Sequence, residues 1–103
     1  MDNYIRALTG VVIDPGHGGS DPGAVGNDKK EKDYTLMISQ YMFERFNELG
    51  VPVTLTRDTD ETLSPTERTQ RILNAYGNNP NVIVISNHLN SGGGDGRCVT
   101  KYV

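Results

Sequence analysis

The chain has 103 residues, 35% of them hydrophobic, with 13 acidic against 10 basic side chains and a formal net charge of −3. That length holds one domain with a modest core. The acidic balance excludes the clustered Lys and Arg of a nucleic-acid-binding face, and no apolar run approaches the ~20 residues needed to span a bilayer. The sole cysteine, Cys98, excludes an intrachain disulfide, and Met1 to Arg6 lacks the apolar stretch of a secretory signal.

Residues 1–10 read as a lead-in closed by Thr9-Gly10. Val11-Val12-Ile13 then runs into Asp14-Pro15-Gly16-His17-Gly18-Gly19. A short apolar run closed by turn residues predicts a buried strand. Pro15 has no N–H for a sheet ladder, so the strand stops there. The glycines that follow permit positive φ and close approach. Residues 15–28 together predict a long functional loop. It holds His17 at a strand's C-terminal end, where open α/β sheets bind their ligands. Lys29, Lys30 and Lys32 read as a solvated loop cluster.

From about Asp33 to Leu49 the period becomes helical, with Tyr34, Ile38, Tyr41, Met42, Phe46 and Leu49 as the core stripe. Asp33 suits the N-cap, while Gly50 and Pro52 end the helix. Val51 to Arg57 alternates, Val53 and Leu55 against Thr54 and Thr56, as a second strand. Ser64-Pro65-Thr66-Glu67 combines a cap, a first-turn proline and a capping box. The helix it opens carries Ile72, Leu73 and Tyr76 as its apolar stripe and closes at Gly77. Val82-Ile83-Val84-Ile85 predicts a central parallel strand leading into Ser86-Asn87-His88-Leu89-Asn90. A loop from Ser91 to Gly96 follows, and Val99 to Val103 is a candidate fourth strand.

Strand, helix, strand, helix, strand predicts an α/β fold: a mostly parallel sheet with helices on both faces. His17 and His88, the only histidines, therefore project from one sheet edge. Two histidines so placed are a candidate metal pair, and a hydrolytic zinc site takes a third protein ligand while keeping one position open. Glu31, at the start of the first helix, is the candidate. Asp33 is its rival, better used as the helix cap. The competing reading is two separately hydrogen-bonded histidines and a salt-bridged Glu31. A phosphate-cradling loop is disfavoured, since neither G-x-G-x-x-G nor G-K-[ST] is present. Cys98 has no neighbouring motif that marks a nucleophile.

The motifs Val12-Ile13-Asp14-Pro15-Gly16-His17-Gly18-Gly19, Asp21-Pro22-Gly23-Ala24-Val25-Gly26, Glu31-Lys32-Asp33, Leu55-Thr56-Arg57 and Ser86-Asn87-His88-Leu89-Asn90 occur in that order. Together they resemble the zinc-dependent N-acetylmuramoyl-L-alanine amidases of the amidase_3 family. The resemblance implies Zn²⁺ bound by His17, Glu31 and His88. It also implies peptidoglycan as substrate, cleaved between the lactyl group of N-acetylmuramic acid and L-alanine. Zinc would polarise the lactyl carbonyl and acidify a water, and a carboxylate would move its proton to the leaving amine.

Against that family, residues 1–103 read as a single catalytic domain shortened at its C-terminus, without wall-binding repeats. The family's general-base glutamate lies in a later segment, so no catalytic residue is assignable before Val103. Asp14 and Glu61 are the carboxylates that could stand in for it. Where the family has Gly-x-Glu-Val, this chain has Gly96-Arg97-Cys98-Val99, so Cys98 occupies the glutamate position. The alternative function is a zinc- or peptidoglycan-binding fragment without turnover. An uncovered sheet edge predicts self-association. Without a signal peptide, action on the cell wall is expected after release by lysis or through a separate export route.

Overall fold

The computed structural model describes residues 8–89 and the backbone of residues 98–102. In chain order these form β1 (Gly10–Pro15), a small hairpin of β2 (Val25–Gly26) and β3 (Lys29–Lys30), α1 (Glu31–Glu48), β4 (Val53–Leu55), α2 (Pro65–Tyr76), β5 (Val82–Leu89) and β6 (Cys98–Tyr102). The main sheet has the order β4-β1-β5-β6. β4, β1 and β5 run parallel, and β6 is antiparallel to β5. This is the expected α/β architecture, and β6 supplies the fourth strand.

β1 is buried along its whole length because it lies between two strands and beneath two helices. Its alternating side chains divide between the layers. Val11 and Ile13 pack with Val51 and Ile85 against Met42, Phe43 and Phe46 of α1. Burying each of these aliphatic side chains stabilises the fold by roughly 1.5–3 kcal/mol. Asp14 turns to the other layer, where Arg68 of α2 meets it at 2.6 Å. The chain steps from β1 to β4 by α1, then back across β1 to β5 by α2. Right-handed crossovers in opposite directions put the two helices on opposite faces.

Several boundaries differ from the sequence expectation, each for a local reason. α1 begins at Glu31, so Asp33 is in the first turn and Lys30 holds the N-cap position without a capping side chain. The loop does the capping instead: the N–H groups of Glu31 and Lys32 donate to the carbonyls of Ala24 and Pro22 at 2.9 and 3.0 Å. The buried face of α1 includes Thr35 and Ser39, whereas Tyr41 and Leu49 are exposed. Those two small polar residues have buried partners. Thr35 donates to the Gly16 carbonyl at 2.7 Å, and the Asn87 amide donates to Ser39 at 3.0 Å.

Lys32 is not a solvated loop residue. It is buried, and its Nζ donates to the Gly19 carbonyl and to Asp60 at 2.9 and 2.7 Å. Residues 15–28 are not loop throughout, because Val25–Gly26 pairs with Lys29–Lys30. The second strand shortens to Val53–Leu55. The third lengthens to Leu89, with β6 pairing along Ile85 to Leu89. The capping box at Ser64 and Glu67 is present as expected. Leu73, expected in the stripe of α2, is exposed. The Ser91 to Gly96 loop lies outside the described residues, as does the Cys98 side chain.

Candidate metal centre

The position of each histidine follows from strand register. Asp14 pairs with Ser86 and Pro15 with Asn87. The Gly16 N–H donates to the Asn87 carbonyl at 2.9 Å, carrying the pairing one step past Pro15. Gly16 is thereby set beside His88, where a Cβ would lie 2.6 Å from His88 Cε1 and 2.7 Å from the Asn87 carbonyl oxygen. Glycine is needed there for space.

His17 has φ 64°, in the left-handed region. That conformation costs a residue with a Cβ roughly 1–2 kcal/mol, so the surroundings must over-determine it. Two arginines do so by holding three consecutive carbonyls. Arg57 donates to Pro15 and Gly16 at 3.3 and 3.0 Å, and Arg68 donates to Pro15 and His17 at 2.7 and 3.0 Å.

Glu31 is the first residue of α1 and only 4% exposed. Its Oε1 accepts from the Ala24 N–H and its Oε2 from the Leu89 N–H, both at 3.0 Å. The carboxylate therefore bridges the hairpin loop and the end of β5. Burial by itself would raise its pKa. The N–H groups of Ala24 and Leu89, with His17 and His88 alongside, outweigh burial and hold the carboxyl below its ordinary range.

These three side chains converge. Glu31 Oε2 lies 3.1 Å from His17 Nε2 and 3.2 Å from His88 Nδ1. The imidazoles meet edge to face, with centroids 5.1 Å apart and planes at 88°. One ligand atom from each residue falls within 4.8 Å of the other two, so the group could hold a metal ion. Two imidazole nitrogens and one carboxylate oxygen suit a divalent transition metal. Asp33, the rival ligand, is exposed and outside this group. Asp14 and Glu61 are committed elsewhere. Asp14 accepts from Arg68, Thr56 and Ser86, and Glu61 is paired with Arg71 at 2.6 Å.

Residues 11–103 match the Amidase_3 family, described as N-acetylmuramoyl-L-alanine amidase. The chain belongs to that family. It is 46% identical over 88 residues to the sporulation-specific N-acetylmuramoyl-L-alanine amidase of Bacillus subtilis (strain 168), which covers 84% of this chain and 33% of that protein. N-acetylmuramoyl-L-alanine amidase CwlM of Bacillus licheniformis is 42% identical over 88 residues, with the same coverage of 84% and 33%. The chain thus spans about a third of the length of these curated relatives. Among solved structures, the catalytic domain of CwlV, the amidase from Bacillus (Paenibacillus) polymyxa var. colistinus, superposes with a TM-score of 0.72 at 32% identity, covering 84% of this chain and 48% of that one. Cwp6 from Clostridium difficile gives 0.74 at 38% identity, covering 88% and 14%.

In this Amidase_3 chain, three further side chains hold one of the candidate ligands, His17, in place. Asp21 contacts His17 Nδ1 at 2.8 Å, and Arg57 and Arg68 hold the His17 loop. Asp21 and Arg57 stand in the motifs quoted above, but nothing in a linear pattern assigns them partners. Arg68 has no linear signal: it is one of three arginines or glutamates on the exposed-looking first turns of α2.

Gly23 marks where the loop presses on the centre. It has φ 69°, and a Cβ there would lie 2.6 Å from His17 Cδ2 and 2.7 Å from Glu31 Oε1. Gly23→Ala should therefore displace both candidate ligands. Calorimetric titration should find divalent-metal affinity lowered by about 10-fold or more, as for other disturbances of a metal site's supporting shell.

Proposed function

We propose that His17, Glu31 and His88 hold zinc and that the centre hydrolyses the amide joining N-acetylmuramic acid to L-alanine in peptidoglycan. The convergence of these residues on one point of the sheet edge carries the reading. Two ligands at zinc's usual bond lengths of ~2.0–2.1 Å and tetrahedral angle sit roughly 3.3 Å apart. The contacts of Glu31 Oε2 to the two imidazoles, 3.1 and 3.2 Å, fit that spacing. Strand position and motif point to the same three residues. Family membership supports the substrate class, and residues 1–103 are read as belonging to one catalytic domain.

When bound, zinc supplies Lewis-acid polarisation of the scissile carbonyl and lowers the pKa of a water. The chain's own residues do the positioning. Glu31 contributes a carboxylate kept ionised by two backbone N–H groups. Arg57 and Arg68 keep His17 in its left-handed conformation. The site lies at the C-terminal edge of the parallel strands, between the β1 exit, the first turn of α1 and the end of β5.

The test is release of L-alanine amino groups from purified peptidoglycan by the zinc-loaded chain. Release should stop with a chelator and be absent in His88→Ala. Zinc binding without any release would overturn the hydrolytic reading and leave the metal centre standing. No zinc binding would overturn both.

A further inference from the structure

Beside the candidate ligands stands one exposed carboxylate in direct contact with the centre. Asp21 Oδ2 lies 2.8 Å from His17 Nδ1, while His17 Nε2 is the nitrogen turned to Glu31. An ionised carboxylate can only accept. Glu31 faces Nε2 in the same way, so a metal seated between Nε2 and Glu31 would take the Nε2 lone pair and leave the imidazole proton on Nδ1, where Asp21 accepts it.

Asp21 is itself held rigidly. Its Oδ1 accepts from the Gly23 N–H at 3.1 Å. Its backbone exchanges two hydrogen bonds with Gly18, at 2.8 and 3.0 Å, closing a tight loop around His17. The following Pro22 carbonyl is tied to the Lys32 N–H at the start of α1. The loop is thus closed by backbone bonds that do not need the Asp21 side chain, whose two oxygens meet the Gly23 N–H and the imidazole. His88 differs, because among the described ion pairs its only carboxylate partner is Glu31.

We infer that Asp21 is a positioning residue of the metal centre, setting the tautomer and ring orientation of His17 so that Nε2 faces the metal. The inference rests on the proposed reading of His17, Glu31 and His88 as ligands. Outer-shell partners of this kind typically change metal affinity by 10–100-fold. Because the Asp21 side chain is 61% exposed, its removal should leave the fold intact.

The experiment measures Zn²⁺ affinity by competition with a chromophoric chelator, together with the melting temperature of the metal-free chain. Asp21→Ala should weaken binding by about 10–100-fold. Asp21→Asn, which keeps an acceptor but not the charge, should fall between Asp21→Ala and the unaltered chain. Metal-free melting temperatures should coincide for all three. In the zinc-loaded unaltered chain, nitrogen-15 spectra should show a protected His17 Nδ1–H that Asp21→Ala loses. Asp21→Ala binding within twofold of the unaltered chain, with that proton still protected, would overturn the inference. So would equal losses in both variants accompanied by a lowered metal-free melting temperature, which would make Asp21 structural. Unchanged zinc affinity in His88→Ala would instead overturn the ligand reading itself.

Discussion

Replacing His88 by alanine should lower zinc affinity by more than about 100-fold, beyond the 10–100-fold typical of losing an outer-shell partner, and leave the metal-free chain folded. The imidazole is about one-third exposed, and among the described residues its side-chain polar partner is Glu31. Its removal therefore strands no buried donor. Glu31→Gln should behave differently. The carboxylate accepts from the backbone of Ala24 through one oxygen and of Leu89 through the other. An amide offers only one acceptor oxygen, so one of these N–H groups would lose its partner at a cost of about 1–3 kcal/mol. Glu31→Gln should thus weaken both metal binding and the metal-free fold, and His88→Ala only the first. Calorimetry and thermal melts with and without a chelator separate them. A ligand at 100 times its dissociation constant stabilises by about 2.7 kcal/mol, so the chelator should lower the melting temperature of the unaltered chain and leave that of His88→Ala unmoved. Equal chelator effects on both would count against the centre.

Arg57→Ala should be the most destabilising single change, costing about 4 kcal/mol or more, at the upper end for point substitutions. The side chain is 1% exposed and donates to the carbonyls of Pro15, Gly16, Lys32 and Thr59 and to the Thr35 hydroxyl. Burial, and then the nearby Arg68, pull its pKa down, with Asp60, Asp14 and Glu61 offsetting part of this. Among the described ion pairs it has no carboxylate in contact, so neutral carbonyls solvate the charge. Truncation would empty the buried space the side chain fills and remove five donor contacts at once, releasing the β1 exit from the first turn of α1. Each carbonyl nevertheless keeps a second donor: Arg68 on Pro15, Thr35 on Gly16 and Lys32, and the Glu61 N–H on Thr59. Arg57→Lys should recover little, because an ammonium cannot reproduce the planar fork that spans these acceptors. Against a total stability of about 5–15 kcal/mol, urea unfolding should show an early or non-cooperative transition for both variants. A midpoint near that of the unaltered chain would refute the clamp.

The elements that were legible are those whose signals are local. Val11 to Ile13 announced β1, and Ser64 to Glu67 announced the start of α2. The two histidines were placed at one edge by counting strands and helices alone. The misread positions are those where a tertiary partner overrode a local preference. Asp33 is a good cap residue, but Ala24 and Pro22 reach the helix start first. Tyr41 and Leu49 are apolar at helical spacing, yet α1 turns Thr35 and Ser39 inward because Gly16 and Asn87 offer them buried hydrogen bonds. Lys32 is charged and lies among lysines, but Asp60 and the Gly19 carbonyl take it out of solvent.

The order of the main-sheet strands and the two helices is legible in the sequence, and with it the C-terminal sheet edge that His17 and His88 share; the β2–β3 hairpin is not. Periodicity, prolines, glycines and caps act over a few residues, and the handedness of crossovers converts them into topology. Only the tertiary structure decided which nitrogen of each histidine meets Glu31, that Asp21 backs His17, and that Arg57 and Arg68 hold the loop. Those contacts join residues 4 to 57 positions apart. They depend on strand register and loop geometry to within about an ångström, and no linear pattern encodes such distances.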